Sequence, residues 1–118
     1  MHNEHYLRAE FYNALTHGAG AVLSLIGGVT LITMASLWGT GWQLTSAIVF
    51  SISLIGLYTA STLYHSTHEP KAKSRLQVLD HCMIYVLIAG SYTPFTLIAM
   101  REDGGWLIFG ITWAMAIA

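Results

Sequence analysis

The charged residues of this 118-residue chain are confined to three short windows, and this spacing constrains its fold more than any other feature. Only 9% of the residues are Asp, Glu, Lys or Arg, against about 25% in soluble proteins. Uncharged apolar stretches occupy 18–37, 43–64 and 82–100. A soluble helical protein would distribute charges along one face of every helix, whereas a charge at the bilayer centre costs about 2.5–3.5 kcal/mol. The pattern therefore predicts three transmembrane helices.

A fourth apolar segment, at 106–118, is too short to cross a bilayer. At 1.5 Å per residue it reaches about 20 Å, whereas the hydrocarbon layer is about 30 Å thick. The sequence then stops without a polar flank, so we expect a truncated fourth helix. The predicted fold class is all-α: a polytopic transmembrane bundle with three full spans and a partial fourth, in one domain over 1–118.

Basic residues predict the orientation of the chain in the membrane. Three spans place the N-terminal segment and a polar loop, predicted at 66–79, on the same side. Cytoplasmic segments carry an excess of Lys and Arg, so the more basic side should be cytoplasmic. We therefore expect a multi-pass protein of the bacterial inner membrane with a cytoplasmic N-terminus. Arg101 is the basic residue of the outer side, and those of the inner side are Arg8, Lys71, Lys73 and Arg75.

The sequence also predicts how the helices pack and bend. Gly20, Ser24 and Gly28 recur at spacings of four, and small residues in this pattern let two membrane helices approach closely. A tight turn is expected at 38–42, where glycines interrupt the apolar pattern. Pro94 should kink the third span, because its missing amide and its ring disturb the preceding turn.

Three groups of polar residues lie at the predicted cytoplasmic ends of the helices. Ser61 and His65 form an i, i+4 pair on one face at the end of the second span. Asp80 is expected to open the third helix, where it could simply be a helix cap. His65 alone could be an interfacial side chain reaching water. The third group should share one face of the first helix: Glu10, Asn13, Thr16 and His17.

If the side chains of His65, Ser61 and Asp80 converge at one membrane depth, they could form a metal site or a proton site. An imidazole can bind Zn²⁺, and a carboxylate and a hydroxyl can hold its bound water. His65 is the one strong ligand visible, and a catalytic zinc site normally has three protein ligands. Further ligands would have to come from outside the segment.

These motifs together resemble the hemolysin III family, the bacterial branch of the progestin and adipoQ receptors. The similarity covers about residue 10 to the end. It rests on Ser61-x-x-x-His65, on Leu79-Asp80-His81 and on the first-helix motif, which consists of Glu10, Asn13, Thr16 and His17. It implies a seven-helix membrane protein with a cytoplasmic N-terminus and a zinc site near the cytoplasmic face. It implies that His65 is a zinc ligand and that Ser61 and Asp80 are catalytic-site residues. The family's other zinc ligands, two histidines on its last helix, lie beyond this chain.

Three functions remain open at this point. A protein of membrane homeostasis or lipid sensing, with zinc as its cofactor, is favoured. The first alternative is a zinc-dependent intramembrane hydrolase of lipid amides, similar to alkaline ceramidases, in which Asp80 orients or deprotonates a zinc-bound water and Ser61 assists. The second is a pore-forming hemolysin, for which the spans offer no charged stripe to line a channel. The expected partners are the lipid bilayer and a lipid substrate or ligand. The net charge of −1 provides no basic field for nucleic acid.

Overall fold

The computed structural model describes residues 3–118, and this part of the chain is mainly helical and contains no strand. The three longest helices, the third continued to Ala99, are long and apolar enough to cross a membrane. The predicted all-α fold with three spans is therefore confirmed. The helices are α1 (Glu4–Trp38), α2 (Gly41–Ser66), α3 (Pro70–Pro94) and the short α4 (Trp106–Ile117).

A two-residue turn joins α1 to α2, as the glycine pattern predicts. The amide of Gly39 donates to the carbonyl of Ala35 at 2.9 Å, and a Cβ at position 39 would lie 2.7 Å from that oxygen. Thr40 caps α2: its hydroxyl accepts from the Gln43 amide at 3.2 Å, and its own amide donates to Gln43 Oε1 at 2.8 Å. Both orphaned amides are thereby satisfied, and the helices leave the turn antiparallel.

The connection between α2 and α3 is much shorter than the predicted loop at 66–79. It comprises residues 67–69, and α3 begins at Pro70. The Glu69 carboxylate caps α3 by accepting from the amides of Lys71 at 3.1 Å and Ala72 at 2.6 Å. The predicted loop was wrong because charged residues on a helix outside the bilayer are solvated by water and need no loop. Asp80 consequently lies well inside α3 and does not open it.

The regular α-helical hydrogen bonding of α3 ends at Pro94, where the sequence predicts a kink. The backbone continues through two π-helical turns, Phe95–Ala99 and Arg101–Gly105, before α4 begins. Gly104 has a φ of 86°, a left-handed conformation that glycine adopts without strain. Trp113 Nε1 donates to Thr93 Oγ1 at 3.0 Å and ties α4 back to α3.

Small residues fill the helix interfaces, and large apolar side chains point outwards. The buried positions include Ala47, Ala60, Ser51 and Thr93, whereas bulky residues such as Leu23 are exposed. Close approach through small residues is how helices associate in a bilayer, where lipid tails solvate the large apolar groups. The packing is therefore that of a membrane bundle: α1 on α2, α2 on α3, and α3 on α4.

Candidate functional site

The first part of α1, the end of α2 and the first turns of α3 meet in a group of polar side chains. We call this group the polar cluster, and it consists of Glu10, His17, Ser61, His65 and Lys73. Its members come from three helices that the two short connections bring side by side. The cluster lies where the uncharged spans of α1 and α2 give way to polar sequence.

Glu10 is the centre of the polar cluster, with only 7% of its surface exposed. Its Oε1 lies 3.0 Å from His65 Nδ1, and its Oε2 accepts from Lys73 Nζ. An ionised carboxylate can only accept hydrogen bonds, so Nδ1 of His65 carries a hydrogen. In the neutral imidazole, Nε2 then keeps its lone pair and is free to bind another group.

Lys73 anchors the start of α3 to the other two helices. Besides Glu10, its ammonium group donates to the Tyr64 carbonyl at 2.9 Å and lies 4.3 Å from the centre of the Tyr64 ring. These contacts compensate for taking the charge partly out of water. Lys73 therefore neutralises Glu10 and fixes its position.

The pKa values of this ion pair move in the directions that keep both groups charged. Burial raises the pKa of Glu10, but hydrogen bonds from Lys73 and His65 outweigh it, and the pKa falls below its usual 4.5. Burial lowers the pKa of Lys73, but the hydrogen bond and negative charge of Glu10, together with Tyr6, outweigh it, and the pKa rises above its usual 10.5. Both residues lie outside the uncharged spans.

A second contact in the polar cluster joins His17 on α1 to Ser61 on α2. Nδ1 of His17 is hydrogen-bonded to Oγ of Ser61, a residue that is only 3% exposed. The His17 ring packs edge-on against the rings of His65, at a centroid distance of 5.3 Å, and of Tyr58, at 6.0 Å. The predicted pair of Ser61 and His65 therefore lies in one place, together with two residues of the first-helix motif.

The first-helix motif does not share one face, contrary to the prediction. Glu10 is buried and His17 half-buried, because seven residues make nearly two full helical turns. Asn13 and Thr16 are exposed, and the Thr16 hydroxyl bonds the Tyr12 carbonyl of its own helix at 2.9 Å. A separation of six residues, as between Glu10 and Thr16, turns a side chain about 120° away.

Asp80 is half-buried on α3, and its side chain makes no hydrogen bond or ion pair with any residue in the described range 3–118. Asp80 is not at a helix start, and the hydrogen bonds of Ser61 and His65 go to His17 and Glu10 instead. Its catalytic role stays a prediction.

The side chains of residues 3–118 do not form a complete metal site. No group of three or more His, Cys, Asp or Glu side chains within that range is arranged to hold an ion. Nδ1 is engaged in both histidines of the polar cluster, by Ser61 in His17 and by Glu10 in His65. The cluster can supply an oriented imidazole nitrogen, which fits one position of a zinc site and not the whole site.

Sequence reasoning missed the participation of Lys73. Its partner Glu10 lies 63 positions earlier, and a basic residue among others in a polar segment gives no local signal of pairing. The one available indication was the opposite charges of the two segments on the same predicted side of the membrane.

The fold and the polar cluster define a multi-pass helical membrane protein with titratable side chains gathered at one end of its bundle. The sequence model of the haemolysin-III related proteins matches residues 5–118. The chain therefore belongs to the haemolysin-III related family, as its motifs indicated.

Curated relatives include bacterial and mammalian proteins. The chain is 45% identical to Hemolysin-3 of Bacillus cereus, with 95% of this chain and 51% of the relative covered. It is 41% identical to the Hemolysin-3 homolog of Bacillus subtilis (strain 168), with 94% and 52% covered. It is 28% identical to the Monocyte to macrophage differentiation factor of Homo sapiens, with 78% and 39% covered. The chain thus spans about half the length of its bacterial relatives. No solved structure gives a significant match.

Proposed function

We propose that this chain belongs to a bacterial inner-membrane protein of membrane homeostasis or lipid sensing, and that His65 is one ligand of its zinc site at the cytoplasmic face. The observation that carries the proposal is the contact between His65 Nδ1 and Glu10 Oε1, at 3.0 Å. Metal-bound histidines almost always donate their other ring nitrogen to a carboxylate, a carbonyl or a water. This arrangement leaves Nε2 of His65 as a ready ligand.

The remaining ligands would come from outside the described residues. The resemblance to the hemolysin III family implies two further histidines on a last helix, and the relatives are about twice as long as this chain. Zinc bound between the end of α2 and a distant helix would hold the bundle together at that end. A lipid that changes the helix packing at that end could then shift the protein between two conformations, which is how it would sense the lipid.

Zinc content of the complete protein, purified from membranes in detergent, tests the proposal. We expect His65→Ala to lose its bound zinc, because one of its few ligands is removed. His68→Ala is the matched control, since His68 lies three residues away, is exposed and belongs to no contact of the polar cluster. Equal zinc content in His65→Ala and the wild type would refute the proposal.

A second candidate is a zinc-dependent hydrolase of lipid amides. The hydrogen bond between Ser61 and His17, beside His65, favours it, because a hydroxyl and an imidazole next to a metal ligand are groups that such chemistry uses. The assay is release of fatty acid from a panel of lipid amides by the complete zinc-bound protein, with Ser61→Ala as the variant. Absence of turnover across the panel would leave the sensing role.

Among residues 3–118 no observation favours the pore-forming alternative. The uncharged spans contribute no ionised side chain that could line an aqueous channel.

A further inference from the structure

We infer that Glu10 and Lys73 are positioning residues that fix one tautomer of His65, so that Nε2 is the atom with which His65 binds zinc. This inference rests on the proposed zinc-binding function and adds to it a role for two residues outside the ligand set. It assigns a task to Glu10, the most buried member of the first-helix motif.

The geometry of Glu10 carries the inference. Its two carboxylate oxygens have separate partners, His65 Nδ1 on one side and Lys73 Nζ on the other. Because both oxygens are engaged, the carboxylate has little freedom to rotate or to leave His65. The side chains of Glu10 and His65 are 10% and 15% exposed, so little water competes for the bond.

Lys73 acts on His65 through Glu10. A nearly buried carboxylate without a counter-ion would tend to move towards water, which solvates its charge better. A displaced Glu10 would no longer accept the hydrogen bond from Nδ1 of His65. Lys73 is itself fixed by the Tyr64 carbonyl, and Tyr64 directly precedes His65 in α2. Glu10, His65 and Lys73 are thus joined by hydrogen bonds, and Lys73 also holds this group to the end of α2.

Two measurements on the complete protein in detergent test the inference, with Glu10→Gln as the principal variant. The first is zinc affinity by competition with a chelator, and the second is the ¹⁵N NMR spectrum of the imidazoles in the zinc-free protein, which distinguishes the two tautomers. We expect Glu10→Gln to weaken zinc binding about 10–100-fold and to shift His65 towards a mixture of tautomers. Glu4→Gln is the matched control, because Glu4 is exposed on the same helix, and it should change neither quantity.

Lys73→Met provides a second variant that leaves the carboxylate in place, and it should shift the tautomer and the affinity in the same direction. A merely structural role would lower thermal stability without changing the tautomer. Wild-type zinc affinity and an unchanged tautomer in Glu10→Gln would overturn the inference while His65→Ala still loses zinc. If His65→Ala also keeps its zinc, the proposed function itself fails.

Discussion

At the scale of single residues, buried hydroxyl groups in this bundle serve two different purposes. Oγ of Ser24 donates to the carbonyl of Gly20, one turn earlier in its own helix, at 2.6 Å. Oγ of Ser61 instead bonds to His17 on a neighbouring helix. The first bond satisfies a polar group locally, whereas the second joins two helices.

Replacing these two serines should therefore have unequal effects. We expect Ser61→Ala to reduce the free energy of unfolding by about 1–3 kcal/mol, because Nδ1 of His17 loses its partner in a part-buried position. Ser24→Ala should reduce the free energy of unfolding clearly less, because removing the hydroxyl leaves no side chain of another helix without its hydrogen-bond partner. Unfolding followed by circular dichroism in detergent would measure both. Equal losses would show that the contact between the helices contributes nothing specific.

The residues of the polar cluster differ in how far sequence could predict them. Ser61 and His65 were predictable as a pair, because a spacing of four fixes a shared helix face. The pairing of Glu10 with His65 spans 55 positions and depends on how α1 and α2 are aligned. No local pattern encodes that alignment, so the contact and the ion pair with Lys73 emerge only from the folded bundle.

At the scale of elements, the contact between α1 and α2 depends on glycines that face the partner helix. A Cβ added at Gly28 would lie 3.1 Å from the Cβ of Ser51, whereas one added at Gly27 would meet nothing within 4 Å. The sequence spacing of Gly20, Ser24 and Gly28 predicted this packing face. It did not identify which helix would occupy it.

The two neighbouring glycines offer a matched pair of substitutions. Gly28→Val should destabilise the bundle by about 1–3 kcal/mol, because the larger side chain forces α1 away from Ser51. Gly27→Val, with the same change in helix propensity, should have a much smaller effect. Thermal unfolding of both variants in the same detergent measures the difference. A similar loss of stability in both variants would show that helix propensity, and not packing against α2, causes it.

The start of α3 shows which sequence signals were decisive. The charge run from Glu69 to Arg75 suggested a loop, yet Glu69 followed by Pro70 is an acidic cap followed by proline at the first helical position. That local signal was the more informative one. Hydropathy reports where a helix meets lipid, and it says nothing about how far the helix continues into water.

At the scale of the whole molecule, the described bundle measures 55 × 31 × 18 Å, longer than a bilayer is thick. The excess length lies where α1 and α3 extend beyond their uncharged spans and carry Glu10 and Lys73. The basic residues on this end predict that it faces the cytoplasm, with the Gly39–Thr40 turn on the opposite side.

Single-cysteine labelling would test this orientation in intact cells. With Cys82, the one cysteine of these 118 residues, changed to serine, and any cysteine elsewhere in the complete protein also replaced, Thr40→Cys should react with a membrane-impermeant maleimide from outside. His68→Cys should react only after the cells are permeabilised. Both positions are exposed, so the difference reports sidedness and not burial. The reverse labelling pattern would contradict the predicted topology.

The ion pair between Glu10 and Lys73 has a consequence for biosynthesis. Each helix packs on its neighbour in the chain, so α1 and α2 can assemble as a hairpin while the ribosome is still making α3. Lys73 lies in the first turns of α3, so it becomes available to Glu10 only after that hairpin has been synthesised. Until then Glu10 must remain hydrated or rely on His65 alone. During translation there is therefore an interval in which the hairpin of α1 and α2 is complete but Glu10 has not yet paired with Lys73.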